Sequence, residues 1–205
     1  MRFRTKTVYL MSLKVSTRPR NMQPSTLSSL SLQLTIMDSS SQESVAILRY
    51  LCREHKADHW YPSDSKAQAR VDEYLEWQHV NTRMQCAMFF QHKFLRPKML
   101  GMPVNEKKVA EFQERMEIVL DQLETIWLKD HPFIAGDHVT IADLVAACEL
   151  EQPSMAGYDV CKGRPNLTAW FKRVRDSFQP HYDEAHMMVY RVKDKFGGNP
   201  AKSNL

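Results

Sequence analysis

Hydrophobic residues along this chain follow two periods, that of a strand near the start and that of amphipathic helices afterwards. Over residues 30–36, leucine and isoleucine alternate with polar residues, which predicts one half-buried β-strand. Residues 38–42 are polar and predict a turn. Over residues 43–56, apolar positions recur at helical spacing, which predicts an amphipathic helix that begins at Glu43 and Ser44.

A long helix is predicted next, after a break in the pattern. Residues 57–64 contain Pro62, which disfavours helix at the residue before it, and this segment is interpreted as an inter-domain linker. Either Ser63 or Asp64 can cap the following helix. That helix contains no Gly or Pro until Pro97, where it is expected to stop.

A second long helix is predicted after Asn105, which can cap it. Its apolar residues recur at steps of three and four, so they predict one continuous buried stripe. The residues of this stripe are Val109, Phe112, Met116, Val119, Leu120, Leu123, Ile126 and Trp127.

Three shorter helices complete the predicted fold. Thr140 and Asp143 have the spacing of a capping box, and the helix they open is expected to end at Pro153. Pro165 suits the first turn of the next helix, and a last helix is expected over residues 182–195. Because no strand pattern follows residue 43, five or six helices packed as a bundle are predicted, and the fold class is mainly α.

Charge is distributed unevenly along the chain. Residues 1–37 carry six basic residues and no acidic one, while the whole chain has net charge +4, so the remainder carries −2. A slightly acidic helical part gives no electrostatic reason to expect nucleic acid as a partner. The basic, Ser/Thr-rich start has the composition of a mitochondrial transit peptide, and an unstructured or atypical leader is the other interpretation.

Cysteine, histidine and apolar residues argue against several classes of site. The cysteines at positions 52, 86, 148 and 161 form no close pair, which argues against a zinc ribbon or a disulfide framework and favours a reducing, cytoplasmic setting. His55 and His59 are four residues apart but straddle a predicted helix end, and His181 and His186 are five apart, so neither pair gives the i, i+4 geometry of ligands on one helix face, and no metal is expected. No run approaches eighteen apolar residues, so no membrane span is expected.

Several of these segments together resemble the theta class of glutathione transferases. The resemblance rests on Glu43 and Ser44, the linker from His59 to Pro62, the run from Arg70 to His79, the box from Val139 to Leu144, and Gly163, Arg164 and Pro165. It covers about three quarters of the chain, from Gln42 to Phe196. The linker and the long-helix run are fairly class-specific, whereas the box is shared across the superfamily.

The resemblance implies a two-domain enzyme that conjugates glutathione to small electrophiles. In that family a thioredoxin-like first domain binds glutathione and an all-helical second domain supplies most of the electrophile pocket. The implied partners are glutathione, a small electrophile and a second copy of the chain in a homodimer. No cofactor is implied beyond glutathione as co-substrate.

The resemblance also implies a set of substrate-binding residues. Out of family context, Glu43 and Ser44 could be a simple helix cap, and Arg83 could be an ordinary ion-paired surface residue. The positions that match ligand-contacting residues of the class are Glu43, Ser44, Val80, Asn81, Thr82 and Arg83.

The first domain departs from the family pattern. A βαβ unit needs about thirty residues, and the residues before Glu43 show no helical stripe, so that domain is expected to be largely missing or replaced. Ser12 and Ser16 lack the sequence context of the family's sulfur-binding serine, so no catalytic residue is assigned. The expected organisation is a leader over 1–29, a thioredoxin-like remnant with one strand and one helix over 30–56, a linker over 57–64, a helical domain over 65–196 and a tail over 197–205.

Two functions remain open at this point. One is a theta-type glutathione transferase, truncated and of impaired activity. The other is a non-catalytic helical module for protein association or for binding apolar ligands.

Overall fold

The computed structural model describes residues 34–36, 39–41 and 43–197, which fall into two compact units that meet in sequence between Tyr61 and Pro62. This break lies inside the segment 57–64, which has no helix or strand. The assignment of the units as separate functional domains stays a prediction. The leader over 1–29 and the tail beyond Gly197 lie outside the described residues.

The first unit contains a two-stranded antiparallel sheet and one helix. Strand β1 (Leu34–Ile36) pairs with β2 (Ser39–Ser41), with Leu34 opposite Ser41. The predicted strand is confirmed over its last three residues, and its first four lie outside the described part. The expectation of one strand followed by a polar turn over 38–42 is wrong, because residues 39–41 pair as a second strand. A run of serines has neither apolar alternation nor high β-propensity, so nothing in its pattern indicated this.

Helix α1 (Ser44–Glu54) follows the sheet and is amphipathic as predicted. Its buried face consists of Val45, Ile47, Leu48 and Cys52. After it the chain turns back, and the guanidinium of Arg53 lies 5.3 Å from the centre of the Tyr61 ring, with Nη2 donating to the Tyr61 hydroxyl at 3.3 Å.

The second unit begins with a long helical rod over residues 65–99. It comprises α2 (Ser65–Trp77), a wide π-type segment π1 (His79–Arg83), α3 (Met84–Phe90) and a second wide segment π2 (Gln91–Met99). Asp64, rather than Ser63, caps the rod by accepting from the Ala67 amide at 2.9 Å.

The rod passes through Pro97 instead of stopping there, so that prediction is wrong. Proline lacks the N–H that a helical bond needs, but it lies in π2, where i→i+5 winding replaces the regular α-helical ladder. The rod ends at Gly101, whose φ of 64° is left-handed, and the Met102 amide donates to the Arg96 carbonyl at 3.1 Å. A glycine stop of this kind is common at helix ends.

Helix α4 (Glu106–Gln122), which continues as π3 (Leu123–Trp127), returns along the rod and carries the predicted apolar stripe. Asn105 caps it as expected, accepting from the Lys108 amide at 3.1 Å. Seven of the eight stripe residues are buried, but Ile126 is 67% exposed. The winding widens at Leu123, which rotates the following positions away from the stripe.

Helix α5 (Ile141–Met155) is the central helix of the second unit and packs against α2, π1 and α3 on the rod. It is apolar on most of its surface, as expected of a helix with neighbours on several sides. Two later helices, α6 (Pro165–Phe178) and α7 (His181–Val192), also pack against it. Pro153 does not end α5 as predicted, because it lies within the last turn and removes only one hydrogen bond.

Pro165 opens α6 as predicted, and the cap comes from a distant residue. The Glu124 carboxylate accepts from the amides of Asn166 at 3.0 Å and Leu167 at 2.8 Å. A carboxylate at this end satisfies unpaired amides and complements the helix dipole. Helix α7 continues as π4 (Lys193–Gly197), close to the predicted last helix.

These elements confirm the predicted fold class, a helical bundle preceded by a small segment with strand and helix. In the described part of the chain, no helix is both long enough and apolar enough to cross a lipid bilayer.

Candidate functional site

In the first unit, Glu43 and Ser44 lie at the start of α1. Glu43 is exposed and extended, with φ −88° and ψ 116°, and its carbonyl accepts from the Ile47 amide at 3.0 Å. Its carboxylate makes no capping bond to the helix. The first amides of any helix have no partner inside the helix, so this end combines available donors with a carboxylate that is not used as a cap.

In the second unit, the other four predicted site residues all fall within π1. Segments of this wide winding are rare and are found frequently at functional sites. They also change which side chains face outward, and the four residues differ accordingly. Val80 is 63% exposed, whereas the Asn81 amide donates to the Trp77 carbonyl at 2.8 Å.

Thr82 is fully buried and has a structural partner. Its hydroxyl lies 3.2 Å from the Tyr74 hydroxyl. Burial raises the pKa of Tyr74, although the hydrogen bond to Thr82 opposes this. The Tyr74 ring packs edge-on against Trp127 at 5.1 Å, so this pair joins the rod to π3 and leaves Thr82 no surface that a ligand can contact.

Arg83 is the charged member of the set and reaches across to the central helix. Its Nε lies 3.7 Å from Oε1 of Glu149, and the two side chains are 45% and 15% exposed. The other carboxylate oxygen of Glu149 accepts from Nε2 of Gln152 at 2.6 Å. Burial raises the pKa of the Glu149 carboxyl, and the Arg83 guanidinium and the Gln152 amide oppose this rise.

Glu149 is a residue that the sequence analysis missed. It interrupts the most apolar helix of the chain, between Cys148 and Leu150. A charged residue in the middle of a central helix is seldom buried without a partner. A lone acidic residue in an apolar helical segment could therefore have identified Glu149 as a residue with a partner. Its partner could not be deduced, because the pairing depends on how α5 packs against π1.

Two of the four histidines considered as metal ligands have other partners. His181 Nδ1 lies 3.1 Å from the Glu184 carboxylate, and His186 Nδ1 lies 2.8 Å from the Tyr182 carbonyl. Among the described residues, no group of three or more His, Cys, Asp or Glu side chains is arranged to hold a metal ion.

A cavity of about 780 Å³ lies beside the C-terminal part of α5, near α6 and π4. Its wall includes Glu151, Tyr158, Cys161 and Lys193, and it includes none of the predicted site residues. Ser12 and Ser16, the serines considered for the sulfur-binding role, lie outside the described residues.

Comparison with known proteins gives a consistent result. The family described as "Glutathione S-transferase, C-terminal domain" matches residues 80–177. Bovine (Bos taurus) glutathione S-transferase theta-1 is 44% identical over 160 residues, which cover 77% of this chain and 67% of the relative. The human theta-1 relative is 42% identical over 77% of the chain and 66% of its own length. This chain thus spans about two thirds of the length of these relatives.

Solved structures agree with the sequence relatives. Human glutathione S-transferase T1-1 in its apo form has a TM-score of 0.75 and 40% identity, over 82% of this chain and 72% of that one. Human glutathione transferase theta-2, solved in complex with glutathione, has a TM-score of 0.74 and 38% identity, over 84% and 70%. The chain belongs to the theta class of the glutathione S-transferase family.

Proposed function

We propose that this protein binds glutathione and conjugates it slowly to small electrophiles. The observation that carries the proposal is its 44% identity to a theta-class transferase over 160 residues. A solved theta-class relative contains glutathione itself, and another contains a glutathione conjugate. Glutathione therefore serves as the co-substrate.

In the first unit, Glu43 and Ser44 are proposed to hold the γ-glutamyl end of glutathione. That end carries both an ammonium and a carboxylate. The Glu43 carboxylate suits the ammonium, while the Ser44 hydroxyl and the first amides of α1 suit the carboxylate. The lack of a capping bond from Glu43 supports this assignment over a purely structural cap.

In the second unit, Val80, Asn81 and Arg83 are proposed to contact the substrate. Thr82 is not included in this proposal, because it is fully buried. Val80 offers an exposed apolar contact, and Arg83 offers a cation for an anionic group. Asn81 is half-buried and one N–H of its side-chain amide is bonded to the Trp77 carbonyl, so the second N–H and the carbonyl oxygen remain for a ligand.

The proposed reaction is attack by a thiolate. The glutathione sulfur forms a bond to carbon, the leaving group departs with its electron pair, and the thiol proton passes to solvent. A free thiol has a pKa near 8.5 and is mostly protonated at neutral pH. Lowering that pKa by about two units takes roughly 2.7 kcal/mol of preferential stabilisation of the anion, which one or two charge-assisted hydrogen bonds can supply.

Turnover is proposed to be impaired because residues 1–42 offer no serine in the family's sequence context. The expectation that the first domain is missing or replaced concerns mostly residues outside the described part, and it stays a prediction. Homodimer formation and a cytoplasmic location are proposed from kinship, and the free thiols at Cys52, Cys86, Cys148 and Cys161 fit a reducing compartment.

We expect purified protein to release heat on titration with glutathione and to conjugate a small alkyl halide slowly but measurably above the buffer rate. The measurements are calorimetry and halide release under saturating glutathione. Absence of binding heat would contradict the proposed function. Turnover as fast as that of a theta-class relative assayed alongside would contradict the impairment. Heat without any turnover would favour a non-catalytic module.

A further inference from the structure

A half-buried carboxylate on the central helix faces the cation of the predicted site. Glu149 lies on α5, with a side chain only 15% exposed, and its Oε1 is 3.7 Å from Arg83 Nε on π1. Gln152, three residues further along α5, donates to the other oxygen at 2.6 Å. Both neighbours favour the ionised carboxylate, one as a cation and one as a donor.

This pair contributes little to folding. Arg83 is 45% exposed, and ion pairs with one solvated partner add little net stability. Removing a carboxylate from water costs free energy that such a pair only partly returns. A protein with a neutral side chain at position 149 would therefore be as stable as the native protein or more stable. This indicates that Glu149 has a role other than stability.

Glu149 approaches the Arg83 guanidinium from the side of its Nε. Arginine presents five N–H donors in a planar fork, and a carboxylate is best bound by two of them at once. Glu149 lies against the Nε edge. Within residues 43–197 the Arg83 guanidinium donates no hydrogen bond, since its Nε lies 3.7 Å from Glu149 Oε1, so its terminal N–H groups can receive an anion.

We propose that Glu149 is a positioning residue for Arg83: it holds the Nε edge, so that the two terminal nitrogens face a carboxylate of the bound substrate. This inference rests on the proposed function, since it assumes that Arg83 contacts an anionic group of the substrate. Without Glu149, the exposed guanidinium would sample several rotamers, and ordering it would reduce the affinity for the ligand.

The test is a double-mutant cycle measured by glutathione calorimetry. We expect Glu149→Gln to weaken glutathione binding about five- to tenfold in the native background and by less than twofold in an Arg83→Ala background. Such non-additivity means that Glu149 acts through Arg83. Equal effects in both backgrounds would overturn the inference. So would an unchanged affinity of Glu149→Gln in the native background.

Two further variants separate positioning from a structural role. Glu151→Gln alters a carboxylate on the same helix that accepts from the Tyr182 hydroxyl at 3.0 Å, and we expect it to leave glutathione affinity unchanged. Glu149→Asp keeps the charge with a shorter reach, and we expect it to recover part of the affinity lost in Glu149→Gln. A fall in affinity that follows thermal stability across all variants would contradict positioning.

A spectroscopic measurement tests the pairing of Glu149 with Arg83 independently of whether the protein binds glutathione. In ¹⁵N–¹H spectra of the ligand-free protein, the Arg83 Nε–H signal, assigned with Arg83→Lys, is expected to move towards the free-arginine position in Glu149→Gln. An unmoved signal would refute the pairing even if glutathione binds. If the signal moves but the native protein gives no heat with glutathione, the pairing stands while the proposed function fails. The proposed positioning role of Glu149 is then overturned as well.

Discussion

Replacing Asp143 by alanine is expected to lower the free energy of unfolding by about 3–5 kcal/mol, the range for removing one partner from a buried charged network. Asp143 is fully buried at the start of α5. One of its oxygens accepts from the Ile134 amide at 2.9 Å and from Trp170 Nε1 at 2.8 Å. The other accepts from the Thr140 amide at 2.9 Å and from the Thr140 hydroxyl at 3.1 Å.

The size of this effect follows from what the substitution leaves behind. Three N–H groups would remain buried without an acceptor, and each such group costs about 1–3 kcal/mol. Burial raises the pKa of the Asp143 carboxyl, while the four donors oppose the rise. Because every neighbour donates, the site is built for the ionised carboxylate, and Asp143→Asn would place an amide N–H against a donor.

Chemical denaturation of the variants measures this effect. Thr140→Ala removes one member of the same box and is expected to cost only about 1 kcal/mol. Asp176→Ala removes a carboxylate of the same type that is 59% exposed and paired with Lys172, and it is expected to change stability by less than about 0.5 kcal/mol. An Asp143→Ala variant no less stable than Thr140→Ala would contradict the network.

Replacing both Glu43 and Ser44 by alanine is expected to weaken glutathione binding by roughly tenfold to a hundredfold, which corresponds to about 1.4–2.7 kcal/mol. The loss has two physical parts. The γ-glutamyl ammonium loses its carboxylate, and the γ-glutamyl carboxylate loses a hydroxyl donor. The expected effect lies below that of a fully buried ion pair, because Glu43 is exposed in the free protein.

Glutathione calorimetry on the double variant measures this loss, with Glu54→Ala as the matched control. Glu54 is an exposed carboxylate at the opposite end of the same helix, so its removal should leave the affinity unchanged. If the Glu43 and Ser44 variant binds glutathione as tightly as the native protein, the two residues form only the start of a helix.

The order and capping of the helices could be predicted from sequence because the signals are local. Asn105 and Asp143 accept from backbone amides three residues away, and Pro165 favours the first turn of its own helix through its fixed φ. Apolar spacing likewise reports a face of one helix. The expected end at Pro97 failed because a wide turn accommodates proline, and Ile126 was misplaced because winding changes at Leu123.

Contacts between distant segments could not be predicted in the same way. Trp170 and Ile134 donate to Asp143, and Glu124 caps a helix that begins more than forty residues later. Each partner is an ordinary residue in its own segment. Their meeting depends on how helices pack, which is set by the whole core rather than by any local pattern.

The candidate site was predicted in part for the same reason. The positions of Glu43, Ser44 and Arg83 came from resemblance, and their roles stay predictions. Burial of Thr82 could not be seen, because ordinary helical spacing does not apply in π1. Glu149 was missed because its significance depends on a neighbour sixty-six positions earlier in the chain.

Titration of the purified chain with glutathione, compared with the dipeptide cysteinylglycine, tests the central claim most directly. The dipeptide retains the thiol and the glycine carboxylate but lacks the γ-glutamyl group that Glu43 and Ser44 are proposed to hold. We expect glutathione to bind with measurable heat and the dipeptide to bind at least about tenfold more weakly. Equal affinities for the two ligands, or no heat with either, would contradict the account.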